Sequence, residues 1–360
     1  SPLTGTITYE WYLNSASTPF SNSDNLPFTN VTSAIDGVYK LVVGQTDTCG
    51  NVSTLEGEFS IKVYTVPIAN QPQNIKECDT DNDGFYSFDL KSLKDAEVLN
   101  GQSLTDYKVS YFTNQADADT NSNEIITPYI NNSAFSTDTI IARIHNIENP
   151  VCFDTKSFTI QVFETPNPPT TIANLGECDN NSIGTDTDNL IIFNLKEKEL
   201  EILNDQTATN FTIEYFTDVN HTNKIPNLTT FENYTTIQPI YVRMFNTRNP
   251  NCVAFTSFNI EVFSLPTVTT PVSLKQCDDD TDGFSPFNLN EVNTKISADA
   301  ANEIFTYFSS YIGADTNDIN KLIPIPTAYT NITPTTDTVW ARVENANGCS
   351  SSISHTIHVE

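Results

Sequence analysis

Apolar and polar positions alternate with period two along most of this chain. Lys108-Val-Ser-Tyr-Phe112, Thr139-Ile-Ile-Ala-Arg-Ile144 and Ser157-Phe-Thr-Ile-Gln-Val-Phe163 are short runs of β-branched and aromatic residues. Side chains on a strand point to opposite faces in turn, so such runs predict half-buried strands. Clusters of Asn, Asp, Thr and Pro separate them and predict turns. Three stretches break the alternation and predict short helices: Lys91–Leu99, Lys196–Leu203 and Glu291–Ser297. Each follows a Phe-(Asp/Asn)-Leu step, and Asp89, Asn194 and Asn288 there are candidate N-caps, whose short side-chain oxygens can accept an orphan backbone N–H.

The pattern repeats. Cys78, Cys178 and Cys277 are 100 and 99 residues apart, and each precedes an Asp. Each repeat continues through Phe-(Asp/Asn)-Leu, a Tyr-Phe pair (111–112, 215–216, 307–308) and an Arg (143, 243, 342). An Asn follows three residues after each Arg, and a second cysteine closes each unit: Cys152, Cys252 and Cys349. Proline-bearing linkers mark the boundaries, giving repeats at 67–166, 167–266 and 267–360. Residues 1–66 differ. Tyr9-Glu10-Trp11-Tyr12 reads as a strand with a core Trp, and Asp36-Gly37-Val38-Tyr39 resembles the tyrosine corner of immunoglobulin-like sandwiches. The stretch is too short for a whole sandwich, so it reads as a partial immunoglobulin-like domain whose first strands lie outside it. The expected fold is all-β: tandem immunoglobulin-like β-sandwich domains in an elongated array, each full repeat with one short helix.

Charge narrows the partners. Lys and Arg total 17 against 45 Asp and Glu, a net charge of −28. Such a field repels phosphate, so neither nucleic acid nor membrane insertion is expected, and no apolar run is long enough to span a bilayer. Part of the charge sits in two loops of the form Asp-x-Asp-x-Asp-Gly. Asp79, Asp81 and Asp83 precede Gly84, and Asp278, Asp280 and Asp282 precede Gly283. Alternate carboxylates on a tight loop converge, which suits the flexible six-to-eight-oxygen shell of Ca²⁺ better than the strict octahedron of Mg²⁺. The twelfth loop position of an EF-hand is Leu here, so a closing ligand would come from elsewhere, for example Asp89 or Asn288, or an acid of the following helix such as Asp95. The middle repeat keeps Asp179, Asp186 and Asp188, with Asn189 at the Gly place. The expectation is structural calcium.

Seven cysteines leave one over. Pairing within repeats gives 78–152, 178–252 and 277–349 and leaves Cys49; pairing between neighbours gives 49–78, 152–178 and 252–277 and leaves Cys349. The first scheme is favoured on the premise that each repeat's two cysteines share one pole of the domain, and Cys49 is then the single free thiol. Disulfides imply an exported, extracellular protein. The repeated Arg reads as structural, because a mid-strand guanidinium in apolar surroundings most often pairs with carboxylates or carbonyls. Asn-x-Ser/Thr triplets such as Asn331-Ile-Thr follow from the Asn- and Thr-rich composition. Asp138-Thr-Ile140 and Asp337-Thr-Val339 resemble a Bacteroidota O-glycan acceptor as much as plain strand edges. No acid/base pair, zinc spacing or nucleophile motif stands out, so no catalysis is expected.

The repeat Cys-Asp-x-Asp-x-Asp-Gly-Phe-x-x-Phe-Asp-Leu, its helix, the Tyr-Phe pair, the Arg strand and the closing Cys resemble the tandem repeats of giant Bacteroidota surface proteins of the gliding-motility-associated, type IX-secreted kind. The resemblance covers residues 67–360. It implies a cell-surface adhesin or stalk segment that contacts neighbouring repeats of its own chain and surface polysaccharide or other cells. The alternative is a carbohydrate-binding module array, or an accessory segment of a large secreted polysaccharide-degrading enzyme. Only Trp11 and Trp340 are present, and neither recurs between repeats, which counts against sugar stacking.

Overall fold

The computed structural model describes residues 5–126 and 128–360, and the chain falls into two compact units, Ser1–Glu164 and Thr165–Glu360. In the first unit, strands β1 (Gly5–Leu13), β2 (Gly37–Asp47) and β3 (Val52–Ile61) form an antiparallel meander. Trp11 and Tyr39 are its buried side chains, and Phe20, Phe28 and Phe59 pack around the Tyr39 ring. The Tyr39 hydroxyl donates to the Ile35 carbonyl at 2.7 Å, the local bond expected of a tyrosine corner.

The first full repeat follows in the same unit. It runs β4 (Ile75–Asp79), β5 (Ser87–Phe88), α1 (Leu90–Leu99), β6 (Tyr107–Phe112), α2 (Gln115–Thr120), β7 (Tyr129–Ile130), β8 (Thr137–Asn146) and β9 (Phe153–Glu164). One sheet has the order β4-β9-β8-β6, and β5 and β7 form a two-stranded ribbon. The decisive pairing is β4 with β9, which is parallel, with Ile75 opposite Ile160 and Cys78 opposite Phe163. All other pairs in the repeat are antiparallel.

The second unit holds the other two repeats. The middle one comprises β10 (Leu175–Cys178), β11 (Ile192–Phe193), α3 (Glu199–Leu203), β12 (Phe211–Phe216), β13 (Phe231–Glu232), β14 (Ile237–Asn246) and β15 (Asn249–Phe263). The last comprises β16 (Val272–Gln276), β17 (Pro286–Phe287), α4 (Asn293–Ile296), β18 (Ile304–Phe308), α5 (Tyr311–Thr316), β19 (Tyr329–Thr330), β20 (Thr336–Glu344) and β21 (Ser350–Val359). Their sheets are β10-β15-β14-β12 and β16-β21-β20-β18, again with the first strand parallel to the last. The architecture is that of tandem immunoglobulin-like β-sandwiches.

Each repeat buries the same set of side chains. Phe88, Phe193 and Phe287 from the ribbon, Leu90, Leu195 and Leu289 at the helix start, and Tyr111, Tyr215 and Tyr307 from the sheet are all under 5 % exposed. Truncating any one of these Phe side chains to Ala should cost about 3–5 kcal/mol. The expected helices are present, with two differences. Asp89 caps α1 through Ser92, but Asn194 makes no side-chain cap bond, and the helices of the second and third repeats each begin as a 3₁₀ turn. Repeats 1 and 3 also carry a second short helix, α2 and α5, that the alternation does not predict. Asn114 and Ser310 cap these helices, and Asn121 and Asn317 end them in the left-handed conformation. The expectation of one helix per repeat is corrected accordingly.

One buried position differs between repeats in a way that has a thermodynamic consequence. Phe158 and Phe258 meet Tyr111 and Tyr215 edge-on, and in the third repeat His355 meets Tyr307 in the same T-shaped way. His355 is 1 % exposed and neither ring nitrogen has a hydrogen-bond partner. Burial therefore lowers its pKa to about 4. The unfolded chain takes up this proton below the ordinary value near 6.5, whereas the folded chain does so only near 4, so stability falls as pH drops between them. His355→Phe should remove a pH-dependent loss on the order of 3 kcal/mol between pH 6.5 and 4. Urea titrations of both proteins at pH 7 and pH 4.5 measure it, and an identical acid loss in the two would contradict the assignment.

Candidate functional site

The cysteines at the domain poles are the first candidate. Because the first strand of each repeat runs parallel to the last, its C-terminal cysteine lies at the far end of the domain. Cys178 stands opposite Phe263. The closing cysteine, Cys252, lies eleven residues earlier on the same strand, about 35 Å away at strand rise. A disulfide needs Cα atoms within about 7 Å, so pairing within a repeat is impossible.

The bond that forms joins Cys178 of the middle repeat to Cys349 of the last, with S–S 2.05 Å and Cα–Cα 5.5 Å. Cys349 sits in the turn between β20 and β21, at the pole of the third repeat that faces the second. Around it, the Asn345 amide donates to the Ser264 carbonyl and the Ser351 hydroxyl to the Pro266 carbonyl, tying down the linker. A cleft of about 510 Å³ beside the bond is lined by residues that include Asp179, Asp186, Tyr311 and Asp315. The expected pairs 78–152, 178–252 and 277–349 are therefore corrected. Cys49, Cys152 and Cys277 are free thiols, where one was expected, and Cys78 and Cys252 stand in disulfides. The error came from placing both cysteines of a repeat at one pole, which an antiparallel first strand would have done.

The acidic loops are the second candidate. In each of the first and third, three carboxylates offer oxygens that all lie within 4.8 Å of one another: Asp79, Asp81 and Asp83, and Asp278, Asp280 and Asp282. The loops fold by the same bonds. The Gly84 N–H donates to Asp79 Oδ2 at 2.6 Å and the Gly283 N–H to Asp278 Oδ2 at 2.8 Å. The Phe85 and Phe284 N–H groups donate to Asp83 and Asp282. Gly84 has φ +88°, and a Cβ there would lie 2.4 Å from the Ala134 side chain, so both conformation and space require glycine. Donation from the Gly283 N–H leads the causes that hold the Asp278 carboxyl below its usual range. At Asp280 the Asp282 N–H is the largest single influence and acts in the same direction, but the Asp282 charge, desolvation, the side-chain hydrogen bond with Asp282 and the Asp278 charge together outweigh it and the group is raised.

The structure adds a residue to the loop. Asn131 is buried, and its side chain accepts from the Tyr86 N–H and donates to the carbonyls of Gly84 and Ser133. Asn331 does the same with Ser285, Gly283 and Thr333, and Asn233 with Ile191, Asn189 and Thr235. The signal was present as an Asn 53, 55 and 54 residues after Cys78, Cys178 and Cys277, hidden among many other Asn. Two aspartates support the clasp. Asp138 accepts from the Tyr129 hydroxyl and the Asn132 N–H, and Asp337 from the Tyr329 hydroxyl and the Ile332 N–H. Both have a structural task in place.

The remaining site residues divide. Asp89 is occupied as the α1 cap, and Asp95 accepts from the Tyr111 hydroxyl at 2.7 Å. In the middle repeat, Asp179 accepts from the Asn189 N–H and Asp188 from the Thr185 and Leu190 N–H groups. Asp186 faces the cleft. These three do not converge as the other two sets do. Asn189 takes φ +60° at the Gly place, so the loop keeps its turn while losing its cluster. The repeated arginines are structural: Arg143 donates to the Pro150 carbonyl and lies over the Phe153 ring, and Arg342 donates to the Ala314 and Asp315 carbonyls at the end of α5.

The profile of the Flavobacterium inter-domain disulphide bond domain matches residues 74–168, 174–266 and 273–360. This chain belongs to that family. Its three copies are the three full repeats, and the Cys178–Cys349 bond is an inter-domain disulfide in the literal sense. No curated protein matches the chain. Among solved structures, three domains of the bacteriophage RB49 Hoc capsid protein are 14 % identical, covering 73 % of this chain and 91 % of that one, with TM-score 0.30. The human Desmocollin-1 ectodomain is 12 % identical over 100 % and 75 %, with TM-score 0.21. Drosophila N-cadherin EC1-4 is 9 % identical over 100 % and 93 %, with TM-score 0.18. An array stapled in this way belongs in an oxidising, extracellular compartment. Among the described residues, no helix is long and apolar enough to cross a membrane.

Proposed function

We propose that this chain is a non-catalytic segment of a large secreted bacterial surface adhesin or stalk, serving attachment to surfaces or gliding motility, with export by the type IX pathway. The observation that carries the reading is the Cys178–Cys349 bond, whose sulfurs are separated by 171 residues of sequence. A cross-link of that span removes roughly 5 kcal/mol of unfolded-chain entropy in the loop-closure description. It also keeps two domains attached when either opens, which suits a chain that is pulled. The family membership points the same way. Replacing both Cys178 and Cys349 by Ser in the producing bacterium should lower the wall shear at which cells detach several-fold, at equal surface amounts by immunolabelling. Unchanged detachment, or unchanged detachment after in-frame removal of residues 67–360, would overturn the adhesive role.

The first and third acidic loops are proposed as structural Ca²⁺ sites. Three clustered carboxylates on one hydrogen-bonded turn repel one another, and the raised Asp280 records that repulsion. A hard cation with flexible oxygen coordination relieves it. Millimolar Ca²⁺ should raise the melting temperature by about 5–15 °C over EDTA, and Asp280→Asn should reduce the rise. Identical melting curves in calcium and in EDTA would sink the calcium sites while leaving the staple untouched.

A further inference from the structure

The N-terminal domain has an open sheet edge where every other domain of the chain has a strand. In the three full repeats the outer side of the last strand (β9, β15, β21) carries a parallel first strand (β4, β10, β16). The last strand of the N-terminal domain is β3, and its sheet ends there, in the order β1-β2-β3 among the described residues. Nine of the ten residues of β3 are exposed, with Leu55 at 75 %, Val52 at 68 % and Phe59 at 44 %. A bare edge with unpaired backbone groups and exposed apolar side chains is a template for strand addition.

The neighbouring cysteine supplies a second, independent constraint. Cys152 is the closing cysteine of the first repeat and the counterpart of Cys349. Cys349 bonds the residue that ends the preceding domain's first strand, Cys178. Cys152 is a free thiol. The segment just after β3 contacts its pole: Lys62 pairs with Glu148, and the Thr65 and Tyr107 hydroxyls meet at 2.6 Å. Cys49 cannot be the mate. It lies in the turn that opens β3, ten strand residues from Ile61, about 30 Å from that contact at strand rise.

We propose that the outer edge of β3 seats one further strand of the same polypeptide, upstream of residue 1, running parallel to β3 and ending on a cysteine that bonds Cys152. Parallel direction sets the geometry, because it delivers the strand's C-terminal residue to the Ile61 end, beside the pole that holds Cys152. In forming the bond, the two thiols lose two protons and two electrons to a disulfide-bearing oxidant by thiol–disulfide exchange, and that oxidant leaves as a dithiol. The inference does not depend on the adhesive role.

The test uses the full polypeptide from its producing cells, with free thiols alkylated at lysis. Trypsin digestion without reduction releases residues 144–156, which contain Cys152. Mass spectrometry should find this peptide linked to one from upstream of residue 1, in a protein that runs as a monomer on a non-reducing gel. Amide exchange along residues 52–61 should be at least 100-fold slower at alternate positions than in the isolated 1–360 chain. Alkylated Cys152, a link to Cys49, a disulfide-linked dimer or unchanged exchange along β3 would each overturn the proposal.

Discussion

The parallel pairing of the first strand of each repeat with its last governs the rest of the structure. In an antiparallel meander a strand's end returns to the pole from which its neighbour starts. A parallel first strand instead carries Cys178 along the domain and leaves it opposite Phe263, at the pole where the chain departs. The closing cysteine stays at the other pole, in or beside the last hairpin turn. A repeat built this way cannot staple itself, but it presents one thiol forward and one backward. The covalent link between domains follows from strand direction alone.

The acidic loop is placed by the same strand. It begins where β4, β10 or β16 ends, so it also sits at the forward pole of its repeat, and in the middle repeat that pole adjoins the Cys178–Cys349 junction. Its turn is held by backbone donors on the first Asp and by a buried Asn that closes over it from the ribbon. Both survive in the middle repeat, through Asp179, Asn189 and Asn233, although the carboxylate cluster does not. The turn is therefore a requirement of the fold, and the cluster is a feature added to it in two of the three repeats. The middle loop is five residues longer, fifteen from Cys178 to Phe193 against ten from Cys78 to Phe88, and this separation explains why the sheet is undisturbed.

Much of the architecture was legible because it rests on local periodicity. Alternation marked the long strands, the Phe-(Asp/Asn)-Leu step marked the first helix, and fixed intervals marked the repeats. What escaped depends on facts that local sequence does not carry. Strand direction is one: Ile75-Lys-Glu-Cys78 reads the same whether it pairs parallel or antiparallel, and the choice decided every disulfide. The Asn clasp is another, since a buried Asn looks like any other in so Asn-rich a chain until its three partners are seen. The second helix of repeats 1 and 3 is only six residues long and depends on its caps. Of the carboxylates singled out, the two Asp-x-Asp-x-Asp sets converge, because alternation on a tight turn is itself a local geometry. Asp89 and Asp95 are engaged by helix and core.

The central claim is that one disulfide binds two successive domains and withholds the chain between its sulfurs from extension. Pulling single molecules of the oxidised chain by their ends tests this most directly. The 171 residues between Cys178 and Cys349 correspond to roughly 58 nm at about 3.4 Å per residue. With Cys78 and Cys252 replaced by Ser in every protein pulled, the chain that keeps Cys178 and Cys349 should unfold to a total contour length shorter by that amount than the chain that also carries Cys178→Ser and Cys349→Ser. Equal lengths would contradict the inter-domain staple.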